Sequence, residues 1–118
     1  MSIDLKAAFE DITALVLKGK ALEAFEKYYA DDVVMQENES LPTVGKAANR
    51  QREQEFFSKV LEFRGAEVKS VAFANDTIFS EWQLDYTHQD WGKRTYHQVS
   101  VQRWKDDHVI HERFYYGS

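Results

Sequence analysis

The chain has 118 residues, 43% of them hydrophobic and 14% aromatic, enough for one domain spanning 1–118 with a sizeable core. A net charge of -5 argues against nucleic-acid binding, and the absence of cysteine excludes disulfides, thiolate metal sites and thiol nucleophiles. Charged and apolar residues mix from Ile3 to Leu17 and no stretch could span a bilayer, so a cytoplasmic protein without membrane contact is expected.

Leu5, Phe9, Ile12 and Val16 recur at three- and four-residue spacing among charged residues, the stripe of an amphipathic helix that Ser2 can cap and Gly19 can end. A second helix is expected over 21–29, with Leu22, Phe25 and Tyr29 on one face and Asp31-Asp32 as its stop. Val33-Val34-Met35 is short and β-branched, hence a strand, and the turn residues from Asn38 to Pro42 make a loop. Helical chemistry returns from Lys46 to Phe63, with Phe56, Val60 and Phe63 inward, Arg50, Arg52, Glu53 and Glu55 outward, and Arg64-Gly65 as the end.

Beyond that point the period changes to two, since Ile78, Trp82, Leu84 and Tyr86 share one parity while Glu81, Gln83 and Asp85 share the other. Turn signals at Asn75-Asp76, Asp90-Trp91-Gly92 and Asp106-Asp107 divide residues from about 66 to 116 into four antiparallel strands. Three helices, an early strand and a meander give an α+β domain in which a curved sheet wraps around helices.

A two-residue turn at Trp91-Gly92 would set Tyr86 opposite His97, Leu84 opposite Val99 and Trp82 opposite Val101. The same rule at Asp106-Asp107 sets Val101 opposite Glu112 and Val99 opposite Phe114. The expected concave face then holds Trp82, Leu84, Tyr86, His97, Val99, Val101, Arg103, Ile110, Glu112 and Phe114, with Gln83, Asp85, Gln98, Ser100, Gln102, His111 and Arg113 outside. A one-residue bulge in any strand would exchange the two sets beyond it.

The run from Phe25 through Tyr28-Tyr29-Ala30-Asp31-Asp32-Val33-Val34-Met35-Gln36-Glu37, then Gly45-Lys46-Ala47-Ala48-Asn49, resembles the SnoaL-like branch of the nuclear transport factor 2-like superfamily. So do Gln102-Arg103-Trp104-Lys105-Asp106 and Glu112-Arg113-Phe114-Tyr115-Tyr116. The resemblance covers nearly the whole chain and implies a cone-shaped α+β barrel whose open end takes a small hydrophobic molecule without a cofactor, often in a homodimer. Ketosteroid isomerase, polyketide cyclases, limonene epoxide hydrolase and scytalone dehydratase share that fold. Set beside ketosteroid isomerase, Glu37 falls at the carboxylate base, but Ile12 and Val99 replace its two oxyanion donors. Losing one such donor typically costs about 100- to 1000-fold in rate, which argues against steroid isomerisation by that constellation.

The candidate catalytic residues are therefore Glu37 as base and His97 as a proton shuttle, each with a bland alternative, a solvated strand-end carboxylate and a satisfied core histidine. Tyr28, Trp82, Tyr86, Val99, Arg103, Glu112 and Phe114 are the candidate ligand contacts, with Arg103 as the expected ion-pair partner of Glu112. His108 and His111 leave opposite faces of a strand and cannot share a metal, so none is expected. Trp91, at a turn, suits a subunit contact or a pocket lip. A cofactor-free acid–base enzyme of isomerase, cyclase or dehydratase type and a non-catalytic ligand-binding or dimerisation module both fit.

Overall fold

The structure, a computed structural model, describes residues 4–117. Its elements run α1 (Leu5–Leu17), α2 (Ala21–Tyr28), β1 (Tyr29–Glu37), β2 (Thr43–Val44), α3 (Lys46–Ser58), β3 (Val60–Ala74), β4 (Thr77–His88), β5 (Gly92–Lys105) and β6 (His108–Tyr116). The expected Ser2 cap lies outside the described residues, and Asp4 caps α1 by accepting from the amides of Lys6 and Ala7. Gly19, at φ +74, turns the chain out of that helix at no Cβ cost.

The six strands form one sheet in the order β2-β1-β6-β5-β4-β3, antiparallel throughout except that β1 lies parallel to β6. Ala8, Phe9 and Ile12 of α1 and Ala24 and Phe25 of α2 pack with Val33, Met35, Ile78, Trp82, Trp104 and Val109 of the sheet. This is the expected α+β architecture of helices held in a curved sheet. The start of α3 is pinned by Asn49, 1% exposed, whose amide donates to the carbonyls of Val33, Thr43 and Gly45 at 3.3, 3.0 and 2.8 Å. A single side chain thereby joins α3, β1 and the loop that carries β2.

Two segments differ from the sequence reading. The third helix stops at Ser58, and Val60 to Phe63 open β3 instead, because their β-branched and aromatic side chains find partners along β4 from Tyr86 to His88. Gly65 accordingly ends no helix but sits at one of the β3 register shifts, where a bulge bends the strand.

The second difference concerns β5. The loop after β4 has three residues, with His88 opposite Gly92 and Gly92 at φ +77, rather than two. Trp82 therefore opposes Gln98, and Leu84 opposes Tyr96. An irregularity between Arg103 and Trp104 then sets Gln102, not Val101, opposite Glu112. Both shifts are odd in number, so β5 presents Tyr96, Gln98, Ser100 and Gln102 to the concave side, while His97, Val99, Val101 and Arg103 face outward. The parities of β4 and of Glu112 and Phe114 on β6 are as expected.

Candidate functional site

Between the helices and the concave face lies a cavity of about 960 Å³. Phe9 and Ile12 of α1, Phe25 of α2, Phe56 of α3, Trp82, Leu84 and Tyr86 of β4 and Phe114 of β6 give it largely apolar walls, the usual lining of a small-molecule site. A few polar groups interrupt them in three places.

The first is a buried network centred on Glu112. One carboxyl oxygen accepts from the Tyr29 hydroxyl, and the other accepts from Ser100 Oγ at 2.7 Å and Gln102 Nε2 at 3.1 Å. Gln102 in turn accepts from Trp104 Nε1 at 2.8 Å, which fixes its amide. Burial pushes the Glu112 carboxyl above its ordinary value against the pull of its three donors, and burial beside Glu112 pushes the Tyr29 phenol far up. Both oxygens act as acceptors, the pattern of an ionised carboxylate, and among the described residues no cation pairs with it.

The second is Glu53 on α3, which lines the cavity with no hydrogen bond or ion pair to any described residue. Asn49, Glu53 and Phe56 follow at four- and three-residue spacing and so share the inward stripe of the helix. Burial raises the Glu53 carboxyl to about 7, aided by the charges of Glu112 and Glu37 and opposed by Arg52.

The third lies at the rim. Glu37, ending β1, is part-exposed, accepts from Arg52 Nη2 at 2.7 Å and from the Tyr116 hydroxyl at 3.2 Å. Tyr86 and Tyr96 share a hydroxyl hydrogen bond of 2.7 Å, and burial pushes the Tyr96 phenol up. Trp91, 55% exposed, stacks on His88 with ring centroids 3.8 Å apart and packs against Phe56, so it forms a lip of the cavity.

The structure thus brings Glu37, Trp82, Tyr86, Glu112 and Phe114 to one cavity. His97 and Val99 are exposed on the outer face of β5, where the odd register shift places them, and His97 reaches no cavity group. Arg103 is exposed on the same outer face and is not the partner of Glu112, whose oxygens are taken by Tyr29, Ser100 and Gln102. Tyr28 is core, its hydroxyl donating to Asp11 Oδ2 at 2.5 Å and its ring packed edgewise on Trp104; its neighbour Tyr29 takes the cavity position. Among the described residues no group of three or more His, Asp or Glu side chains is placed to hold a metal ion. The arrangement can bind a mostly apolar molecule, donate hydroxyl hydrogen bonds to it and exchange a proton through Glu53 near neutral pH.

Comparison with curated proteins gives no match. Among solved structures, a Mesorhizobium loti protein provisionally assigned as a SnoaL-like polyketide cyclase is 28% identical, with 97% of this chain and 100% of that one covered at a TM-score of 0.85. An NTF2-like protein of unknown function from Burkholderia pseudomallei shares 11% identity over 95% of this chain and 89% of that one, at a TM-score of 0.81. An LEH-like epoxide hydrolase of Mycobacterium tuberculosis shares 13% over 94% and 80%, at 0.75, a likeness of fold. The SnoaL-like domain matches residues 9–112, across α1 to β6, and the chain belongs to that family.

Proposed function

We propose that the chain is a cofactor-independent acid–base catalyst for a small, largely apolar molecule, with Glu53 as the group that exchanges a proton. The observation that carries this is a carboxyl lining a mostly apolar cavity with no hydrogen bond or ion pair to any described residue, Arg52 acting on it only through its charge. Glu37, expected as the base, is engaged by Arg52 and Tyr116; in this reading it holds those two side chains at the rim and orients the substrate. The Tyr86–Tyr96 pair supports the same reading, because one hydroxyl donates to the other and the second proton is left to polarise a substrate oxygen. The epoxide hydrolase and cyclase descriptions of similar structures agree with a small-molecule reaction of this kind.

The test uses 5-nitrobenzisoxazole, a flat apolar C–H acid. Transfer of its ring proton to a carboxylate opens the N–O bond and leaves a nitrile and a coloured phenolate, with no other reactant. Wild-type protein accelerates this reaction with an apparent pKa of about 7, and Glu53→Gln abolishes the acceleration while keeping the fold. An unchanged rate in Glu53→Gln, or acceleration by neither protein, refutes the reading and leaves a non-catalytic binding module.

A homodimer is proposed alongside. Phe79, Val99 and Tyr115 are 39%, 38% and 40% exposed on adjacent strands of the outer face, with Val101 between them, and this apolar strip suits a second copy.

A further inference from the structure

The cavity carries an imbalance of charge that the proposed proton exchange does not use. Its lining includes two carboxyls, Glu53 on α3 and Glu112 on β6, and the charge of Glu112 adds to the tendency of Glu53 to keep its proton. The cationic side chains that reach the cavity are engaged elsewhere or stay outside. Arg52 is held by Glu37, Lys59 by Asp90 at 3.0 Å, Arg94 lies over the Tyr96 ring at 5.3 Å, and Lys20 is exposed before α2. Aromatic rings line the same cavity, with Phe25 and Tyr29 4.9 Å apart between centroids and Phe56 one turn along the helix from Glu53.

An anionic ligand would meet Glu53, Glu112 and Glu37 together. A neutral ligand would leave the pair of carboxyls uncompensated, whereas a cation would neutralise them and gain from the aromatic rings as well. On these grounds we propose that the molecule taken by this cavity carries a protonated or quaternary amine on an apolar body, with the nitrogen seated between Glu53 and Glu112 against Phe25, Tyr29 and Phe56. The inference rests on the cavity and on Glu53 as its proton-exchanging group, and it names the substrate class of that site.

Cation binding is then coupled to proton release. The other titratable or charged groups lining the cavity include Tyr29 and Glu37 on β1, Arg52 on α3, His88 and Tyr86 on β4, Tyr96 on β5 and Tyr116 on β6. The three cavity phenols that burial pushes up, Tyr29, Tyr96 and Tyr116, stay protonated through neutrality, so the proton lost on binding comes from Glu53. The amine therefore arms the base by driving off its proton.

The experiment compares benzyltrimethylammonium, a fixed cation, with neopentylbenzene, its neutral match in shape, by tryptophan fluorescence and by calorimetry in buffers of differing ionisation enthalpy. The expected result is a preference for the cation of about tenfold or more at about pH 8, and release of close to one proton per cation at about pH 6, falling as Glu53 ionises unaided. Glu53→Gln brings the preference to within about threefold and removes the proton release, while neopentylbenzene binds as before. The idea is overturned if the neutral compound binds as tightly as the cation, if the cation binds at about pH 6 with no proton released, or if neither compound binds. Because the benzisoxazole reaction needs no cation, its success beside any of those outcomes would leave the acid–base reading standing and remove only the amine.

Discussion

Replacing Glu53 with Gln should make the protein more stable, and only above a certain pH. The folded chain holds the Glu53 proton up to about 7, against an ordinary 4.5, so the folded state binds more protons than the unfolded one between those values. Wild-type stability therefore falls as pH rises through that window and the penalty is complete above about 7. At about 1.4 kcal/mol per pH unit the interval amounts to about 3 kcal/mol, or roughly 10 °C in melting temperature for a domain of this size. Gln keeps the shape and carries no charge, so thermal unfolding of both proteins across about pH 4.5 to 8 should show curves that nearly meet at the acid end and part by about 3 kcal/mol at the basic end. A gap of the same size at every pH, or none at about pH 8, would refute the assignment of a strained, uncompensated carboxyl to this position.

Tyr29→Phe removes one of three donors to Glu112 and should lower stability by about 1–3 kcal/mol, read from the urea midpoint. Trp91→Ala should change stability by less than about 1 kcal/mol, since the indole is half exposed, yet speed release of benzyltrimethylammonium several-fold in stopped-flow fluorescence by opening the lip. His97→Ala should leave the benzisoxazole rate unchanged, because the ring sits on the outer face. Val99→Lys, on that same face, should shift the protein toward monomer in analytical ultracentrifugation and spare the cavity.

Local chemistry made part of this molecule legible in advance. Leu5, Phe9 and Ile12 marked α1 by their period, and Asn75, Gly92, Asp106 and Asp107, all at positive φ, marked the turns. The end of α3 was hidden because Phe56, Val60 and Phe63 also fit helical spacing, and only pairing with β4 decides for a strand. The β5 reading failed for a more instructive reason. Matching apolar parity to the concave side assumes that the inner face is the oily one, whereas this strand turns Ser100 and Gln102 inward to hold Glu112 and leaves Val99 outside. Charge alone sets Glu53 outward with Arg50, Arg52 and Glu55 in the sequence reading, whereas it lines the cavity: its four-residue spacing from Asn49 and three-residue spacing to Phe56 put all three on one inward stripe.

The parallel pairing of β1 with β6 also governs the order in which the molecule can be assembled. Tyr29 and Glu112 are 83 positions apart, and Glu112 meets Ser100 and Gln102 only when β6 has docked between β1 and β5. During synthesis the helices, β1 and the meander through β5 therefore precede the strand that joins them, and both flanks of the gap remain unpaired edges until it arrives. Such long-range closure is slow relative to local hairpins, so the growing chain spends its most aggregation-prone interval as two half-sheets waiting for nine residues.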